Sequence, residues 1–215
     1  MNLRLSSDFP RLYAIVDVDI ARRAGWPARE LTRAYLAGGA RLLQLRAKSM
    51  QSGEFLDLAS AVAEDVKAAD GQLIVNDRAD IALLSGAEGV HVGQDDLAPD
   101  DVRRVVGADF VVGYSTHTEA QIASALREPI TYLAVGPVFW TTTKETGHER
   151  VGLSLMAAAR RATAESGRAV VAIGGITLHT ARSVIEAGAS SVAVIADLLE
   201  GNPEARVREY LAALA

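Results

Sequence analysis

Three observations predict an α/β protein built as one closed (β/α)8 (TIM) barrel of parallel strands: eight short apolar runs, amphipathic stretches between them, and a Gly-Ala pair before four of the runs. The runs fall at 12–16, 42–45, 73–75, 90–92, 110–112, 132–135, 170–173 and 192–195, and are rich in Val, Ile, Leu and Tyr, which suit a pleated, buried surface. Helical periodicity fills most of the gaps, at 28–37, 54–69, 119–126, 153–164, 180–187 and 203–214. The stretches after the third and fourth runs are too short for periodicity to assign. Gly39, Gly86, Gly107 and Gly188 are each followed by Ala and, four positions on, by Leu43, Val90, Val111 and Val192. Each Gly can end a helix just before a strand, and their spacings fit whole numbers of one βα unit. The rival is an open doubly wound sheet, which calls for a glycine-rich turn after its first strand. Here that position reads Asp17-Val18-Asp19.

Composition narrows the function. The 215 residues are 49% hydrophobic and 23% charged, as in an ordinary globular chain with one large core. No linker or low-complexity tract divides it, so residues 1–215 read as a single domain. The net charge of −5 gives no basic surface for nucleic acid or an anionic membrane. Any anion must be gripped by local cations. Absence of cysteine removes disulfides, thiolate nucleophiles and cysteine metal sites. Residues 1–11 lack the apolar stretch of a signal peptide, and no run approaches the ~18 residues of a membrane span, so a cytoplasmic protein is expected. Homo-oligomerisation stays open.

The polar residues collect where barrel chemistry collects, at the C-terminal ends of strands. Strand alternation puts Gln44, Arg46 and Lys48 on one face and Leu43, Leu45 and Ala47 on the other. If the leucines meet the helices, the cations point to the barrel mouth, where burial is costly unless an anion compensates them. Alternatively the two cations only escape to solvent. After the third and fourth strands come Asn76-Asp77-Arg78-Ala79-Asp80 and Gly93-Gln94-Asp95-Asp96. Helix capping is the ordinary role of such residues, and Asp80 and Asp95 need no other. Asp77 and Asp96, on neighbouring strand ends, would repel unless a cation lay between them, and they suit Mg2+ shared with substrate phosphates.

The fifth strand leads into Ser115, a candidate oxyanion donor, and His117, an acid/base or only a neighbour of a helix cap. His91 reads as an inward packing residue. No serine sits in Gly-x-Ser-x-Gly, and scattered histidines without cysteine do not suggest zinc. After the sixth strand, Gly136-Pro137 breaks pairing and opens a loop carrying Thr141, Thr142, Thr143 and Lys144, hydroxyls and one compact cation suited to phosphate. Gly174 and Gly175 after strand seven, and Ile195-Ala196 after strand eight, occupy the usual phosphate position of this barrel.

Gln44-x-Arg46-x-Lys48, Asn76-Asp77-Arg78-x-Asp80, His91-x-Gly93-Gln94-x-Asp96, Ser115-Thr116-His117, Gly136-Pro137-Val138-Phe139-x-Thr141-x-Thr143-Lys144 and Ile173-Gly174-Gly175-Ile176 together resemble the thiamine-phosphate synthase family across nearly the whole chain. The resemblance implies a transferase that joins 4-amino-2-methyl-5-hydroxymethylpyrimidine diphosphate to 4-methyl-5-(2-phosphoethyl)thiazole and releases pyrophosphate. It implies that Gln44, Arg46, Lys48, Asn76, Ser115 and Lys144 hold the pyrimidine diphosphate, with Arg46, Lys48, Ser115 and Lys144 acting on the leaving group, and that Asp77 and Asp96 bind one Mg2+. It further implies that Thr141, Thr142, Thr143, Gly174, Gly175, Ile195 and Ala196 hold the thiazole phosphate. The family breaks the C–O bond first and needs no protein nucleophile, which matches finding none. One departure stands out: Ala196 replaces a serine common in the family. Two rival readings remain, an isomerase of the thiazole-tautomerase kind using His117, and a non-catalytic sensor of phosphate ligands.

Overall fold

A computed structural model describes residues 9–140 and 150–215. Its eight strands are β1 (Leu12–Asp17), β2 (Leu42–Arg46), β3 (Gln72–Asn76), β4 (Gly89–Val92), β5 (Val111–Thr116), β6 (Tyr132–Val135), β7 (Ala169–Ile173) and β8 (Ser191–Val194). They pair in sequence order, and β8 returns to β1 in parallel to close the barrel. The sheath comprises α1 (Val18–Arg23), α2 (Ala28–Gly38), α3 (Ser52–Ala68), α4 (Ala79–Ser85), α5 (Pro99–Val106), α6 (Glu119–Ala125), α7 (Gly152–Ala162), α8 (Leu178–Glu186) and α9 (Pro203–Leu214), with a 3-10 turn at Ala196–Leu199.

The period of two along each strand separates two cores. Tyr13, Ile15, Leu42, Ile74, Tyr132, Val171 and Ala193 fill the barrel, whereas Ala14, Val16, Leu43, Leu45, Val75 and Val192 meet the helices. Gln44 shares the inward face with Leu42, as the alternation requires. The four Gly-Ala pairs stand at the ends of α2, α4, α5 and α8, and each of these glycines has positive φ.

Three helices escaped the periodicity. α1, α4 and α5 have six, seven and eight residues, two turns or so each, which is little length for a 3.6-residue period to show itself. β5 also runs farther than its apolar pattern, because Ser115 and Thr116 continue the ladder opposite Ala134 and Val135. Among the described residues, no helix is long and apolar enough to cross a membrane.

Candidate active site

The C-terminal ends of β1 to β4 form a charged corner. Register places Asp17 directly opposite Arg46, and the buried Asp17 carboxylate takes a very short hydrogen bond from the Arg46 guanidinium. The other Asp17 oxygen caps α1 by accepting from Ile20 N at 3.0 Å. Asp17 thus holds Arg46 in place while starting the next helix. Sequence reading noticed Asp17 only as a non-glycine; the alternation Tyr13, Ile15, Asp17 on the inward face was the signal that it points to the mouth.

Lys48 lies one turn beyond β2, and its ammonium pairs with Asp77 at 2.5 Å. Asp77 adopts φ 65°, a left-handed backbone that non-glycine residues rarely take and that clusters at functional sites. Burial raises its pKa above the usual carboxylate range, Lys48 opposes this, and the facing Asp96 carboxyl raises it further. Asp96 is tied down by the Gly93 N–H at 2.8 Å. Among the described residues, no three His, Cys, Asp or Glu groups gather as a ready-made metal cage. Two facing carboxylates nevertheless fit Mg2+, which keeps waters and takes one or two protein carboxylates together with substrate phosphates. Asn76 is buried at the end of β3, one residue before Asp77. Asp80 stands in the first turn of α4, where backbone N–H groups and Arg78, paired at 2.6 Å, hold its carboxylate.

Beside this corner lies a cavity of about 360 Å3, lined by Ser115, His117, Gly136, Pro137, Trp140, Gly174, Gly175, Ile195, Ala196 and Asp197 among others. It gathers Ser115 with the glycine pair and the β8 loop, whereas Gln44, Arg46, Lys48 and Asn76, the set with which Ser115 was expected, and Asp77 and Asp96 do not line it. The expected residues therefore fall into two adjoining compartments. Gln94 bridges them, donating from Nε2 to the Ser115 carbonyl at 2.6 Å.

Gly174 and Gly175 are needed for more than a ligand. A Cβ on Gly174 would come within 2.5 Å of Pro137 Cβ, and one on Gly175 within 2.3 Å of the Trp140 carbonyl oxygen. The segment after β6 lies against them, with Val138 N donating to Ile173 O and Phe139 N to Gly174 O. On its far side, Val151 N and Gly152 N donate to Pro137 O and Val138 O. Thr141, Thr142, Thr143 and Lys144 lie outside the described residues; the flanks of their loop are anchored at the cavity. Ala196 opens the 3-10 turn, and the next residue, Asp197, binds Leu178 N, Arg206 and the Tyr210 hydroxyl, fixing the β8 loop to α8 and α9.

His117 sits between cap and cavity. Its Nδ1 donates to the Gly136 carbonyl at 2.6 Å, and its backbone N–H donates to Gln121 Oε1 beside the Thr118 cap of α6. His91 points inward, but it is more than packing: its ring nitrogens meet Tyr132 Oη and Ser115 Oγ.

A larger cavity, about 730 Å3, lies at the opposite face of the barrel, around Gln72, Arg103, Phe110, Val111, Thr131 and Arg168. Arg103 and Arg168 donate there to backbone carbonyls between strands and helices, and the N-terminal face of such barrels serves stability. The smaller cavity is the one at the C-terminal strand ends, where barrel chemistry collects.

Comparison with known proteins points to one family. A family model described as thiamine monophosphate synthase matches residues 12–198. The chain is 45% identical over 208 residues to a thiamine-phosphate synthase of Koribacter versatilis, covering 94% of each. It is 40% identical over 203 residues to one of Roseiflexus castenholzii, covering 93% of this chain and 88% of that one. Among solved structures, a thiamine phosphate pyrophosphorylase from Pyrococcus furiosus superposes with a TM-score of 0.85 at 28% identity, covering 99% of this chain and 98% of that one.

Proposed function

The chain belongs to the thiamine monophosphate synthase family and is a transferase of thiamine biosynthesis, and from that premise we propose that it condenses 4-amino-2-methyl-5-hydroxymethylpyrimidine diphosphate with 4-methyl-5-(2-phosphoethyl)thiazole to give thiamine phosphate and pyrophosphate. The proposal takes residues 1–215 as one catalytic domain. Its support is the division of the barrel mouth into a corner of paired charges and an adjoining cavity, with Ser115 at the junction. A reaction with one diphosphate substrate and one monophosphate substrate needs two such compartments.

In this reading the corner takes the pyrimidine diphosphate. Arg46 is pre-oriented by Asp17, so its remaining donors can meet an anion with little loss of rotamer freedom. Lys48 can swing from Asp77 to the diphosphate as Asp77 turns to a metal ion. Asp77 and Asp96 would hold Mg2+, which when bound neutralises charge on the departing pyrophosphate. Gln44 and Asn76 face the pyrimidine from the barrel interior, and Ser115 donates to a diphosphate oxygen. Lys144 completes the cationic set. The thiazole phosphate lies in the cavity against Gly174, Gly175, Ile195 and Ala196, with Thr141, Thr142 and Thr143 as its remaining partners. The C–O bond of the pyrimidine methylene breaks as pyrophosphate departs, and the thiazole nitrogen forms the new C–N bond. No protein nucleophile takes part; the protein aligns both partners and excludes water.

The test is turnover. With both substrates and Mg2+, the protein should release thiamine phosphate and pyrophosphate in equal amounts, and neither should form without the metal. Interconversion of thiazole isomers alone would favour the isomerase reading through His117. Saturable binding of both substrates without product would make the protein a sensor.

A further inference from the structure

Ser115 stands at one end of a hydrogen-bond chain that crosses the barrel interior. Gln44 Nε2 donates to Tyr13 Oη at 2.9 Å, Tyr13 Oη meets Tyr132 Oη at 3.1 Å, Tyr132 Oη meets His91 Nδ1 at 2.9 Å, and His91 Nε2 meets Ser115 Oγ at 2.8 Å. Five side chains from β2, β1, β6, β4 and β5 are joined in this way. Gln44, Tyr13, Tyr132 and His91 are all buried. β5 makes room for the crossing: a Cβ on Gly113 would lie 2.1 Å from Tyr132 Cζ and 2.5 Å from His91 Nδ1. Burial pushes both phenol pKa values upward, so each tyrosine keeps its single proton.

The proton inventory gives the chain a direction. An amide nitrogen can only donate, so Gln44 makes Tyr13 Oη an acceptor. Of the two directions the distances allow, the one in which Tyr13 donates to Tyr132 and Tyr132 donates to His91 Nδ1 gives each phenol one donor and one acceptor partner, and it is the direction we assign. A neutral imidazole that accepts at Nδ1 carries its proton at Nε2, which donates to Ser115 Oγ. The serine proton is thereby turned away from His91. Run the other way, with the Gln44 carbonyl accepting, the chain would draw that proton onto His91 and leave Ser115 an acceptor. A diphosphate has only acceptors to offer.

We propose that His91, backed by Tyr132 and Tyr13, is a positioning residue that makes Ser115 a one-way hydrogen-bond donor to an anionic oxygen at the barrel mouth. In the synthase reading, on which the identity of the anion rests, that oxygen belongs to the leaving diphosphate. The signal begins at Gln44, so the residue facing the pyrimidine also orients the donor for its leaving group.

The deciding experiment reads the His91 tautomer in 15N-labelled protein without substrate, by long-range 1H–15N correlation, with the resonances assigned by their loss in His91→Gln. A protonated Nε2 and an unprotonated Nδ1 are expected. A proton on Nδ1, or on both nitrogens, overturns the proposal, and this holds whether or not the synthase reading survives. The kinetic arm uses Tyr132→Phe, which removes the proton feeding Nδ1 but keeps the ring. It should lower kcat roughly five- to tenfold, the scale of one neutral hydrogen bond, and leave KM for the thiazole phosphate unchanged. His91→Gln, whose amide N–H can still reach Ser115, should retain several times the activity of His91→Leu. Equal loss in these two variants, with both folded by circular dichroism, would also overturn the positioning role.

Discussion

Replacing Asp77 by Asn and by Ala separates what the backbone asks of this residue from what its charge does. At φ 65° the chain is in the left-handed region, where Asn is accepted as readily as Asp but a Cβ without a compensating polar group costs about 1–2 kcal/mol. Asp77→Asn also removes the ion pair to Lys48, whose side chain is 51% exposed, an interaction worth about 0–1 kcal/mol at such a surface. Against that loss, the Asn variant no longer buries a carboxylate facing Asp96, the two influences that raise the Asp77 pKa. The opposing effects leave Asp77→Asn within about 1 kcal/mol of the parent, while Asp77→Ala should be less stable than Asp77→Asn by about 1–2 kcal/mol. Urea denaturation without metal measures both. Turnover should respond differently: each variant has lost a carboxylate ligand, so half-saturation should need at least ~100-fold more Mg2+, beyond the effect of removing an outer-shell partner. An Asn variant that reaches the parent rate at the parent's Mg2+ concentration refutes the metal assignment. An Ala variant as stable as the Asn variant refutes the argument from backbone strain.

Two further outcomes follow from the framework. Tyr35 on α2 is fully buried, and its hydroxyl has no hydrogen-bond partner among the described residues, so Tyr35→Phe should raise stability by about 1 kcal/mol, seen as a higher urea midpoint at an unchanged slope; a loss of similar size would mean the hydroxyl is satisfied in solution. Asp65 on α3 accepts from Arg29 and Arg33 on α2, and these bonds, Arg29 first, pull its pKa from 3.8 to about 2. A depressed carboxylate stabilises the fold above its unfolded pKa and loses that contribution as pH falls through the folded one. Asp65→Asn should therefore cost about 1 kcal/mol near pH 7, discounted for exposure, and the gap to the parent should close between about pH 4 and pH 2; a gap that persists at pH 2 would assign the effect to packing.

The barrel was legible because each strand carries its own evidence. In β2, Leu43 and Leu45 on one face and Gln44 and Arg46 on the other suffice to orient the strand, and the Gly-Ala pairs mark where helices end. Alternation put Gln44 and Arg46 on the inward face, as the strand shows, but Lys48 lies beyond β2, where alternation no longer orients a side chain. Relations between strands were not legible in the same way. Asp17 and Arg46 are far apart in sequence and meet only because the β1–β2 register sets them side by side. Tyr13 and Tyr132 read as apolar strand residues, because nothing local distinguishes a tyrosine that packs from one that joins a hydrogen-bond chain across a barrel. His91 was placed inward correctly, but its partners on β5 and β6 become neighbours only when those strands pair. Glycine was ambiguous for a related reason: Gly174 and Gly175 admit the segment after β6, a demand made by another part of the chain.

These inter-strand relations bear on how the corner takes an anion. Among the described residues there, Arg46 and Lys48 face three carboxylates, Asp17, Asp77 and Asp96, and each cation is already paired with one of them. The carboxylates hold the cations in place, but they also leave the corner short of positive charge; burial raises the Asp77 pKa first, and the neighbouring Asp96 adds to it. A bare diphosphate would have to compete with Asp17 for Arg46 and with Asp77 for Lys48, adding its own charge to a partly desolvated site. If it arrives with a divalent cation, the balance reverses: Asp77 and Asp96 turn from competitors into ligands, and Lys48 is released to the phosphate. In the proposed function, the pairs that arrange Arg46 and Lys48 would thus make binding of the anion conditional on the cation that accompanies it.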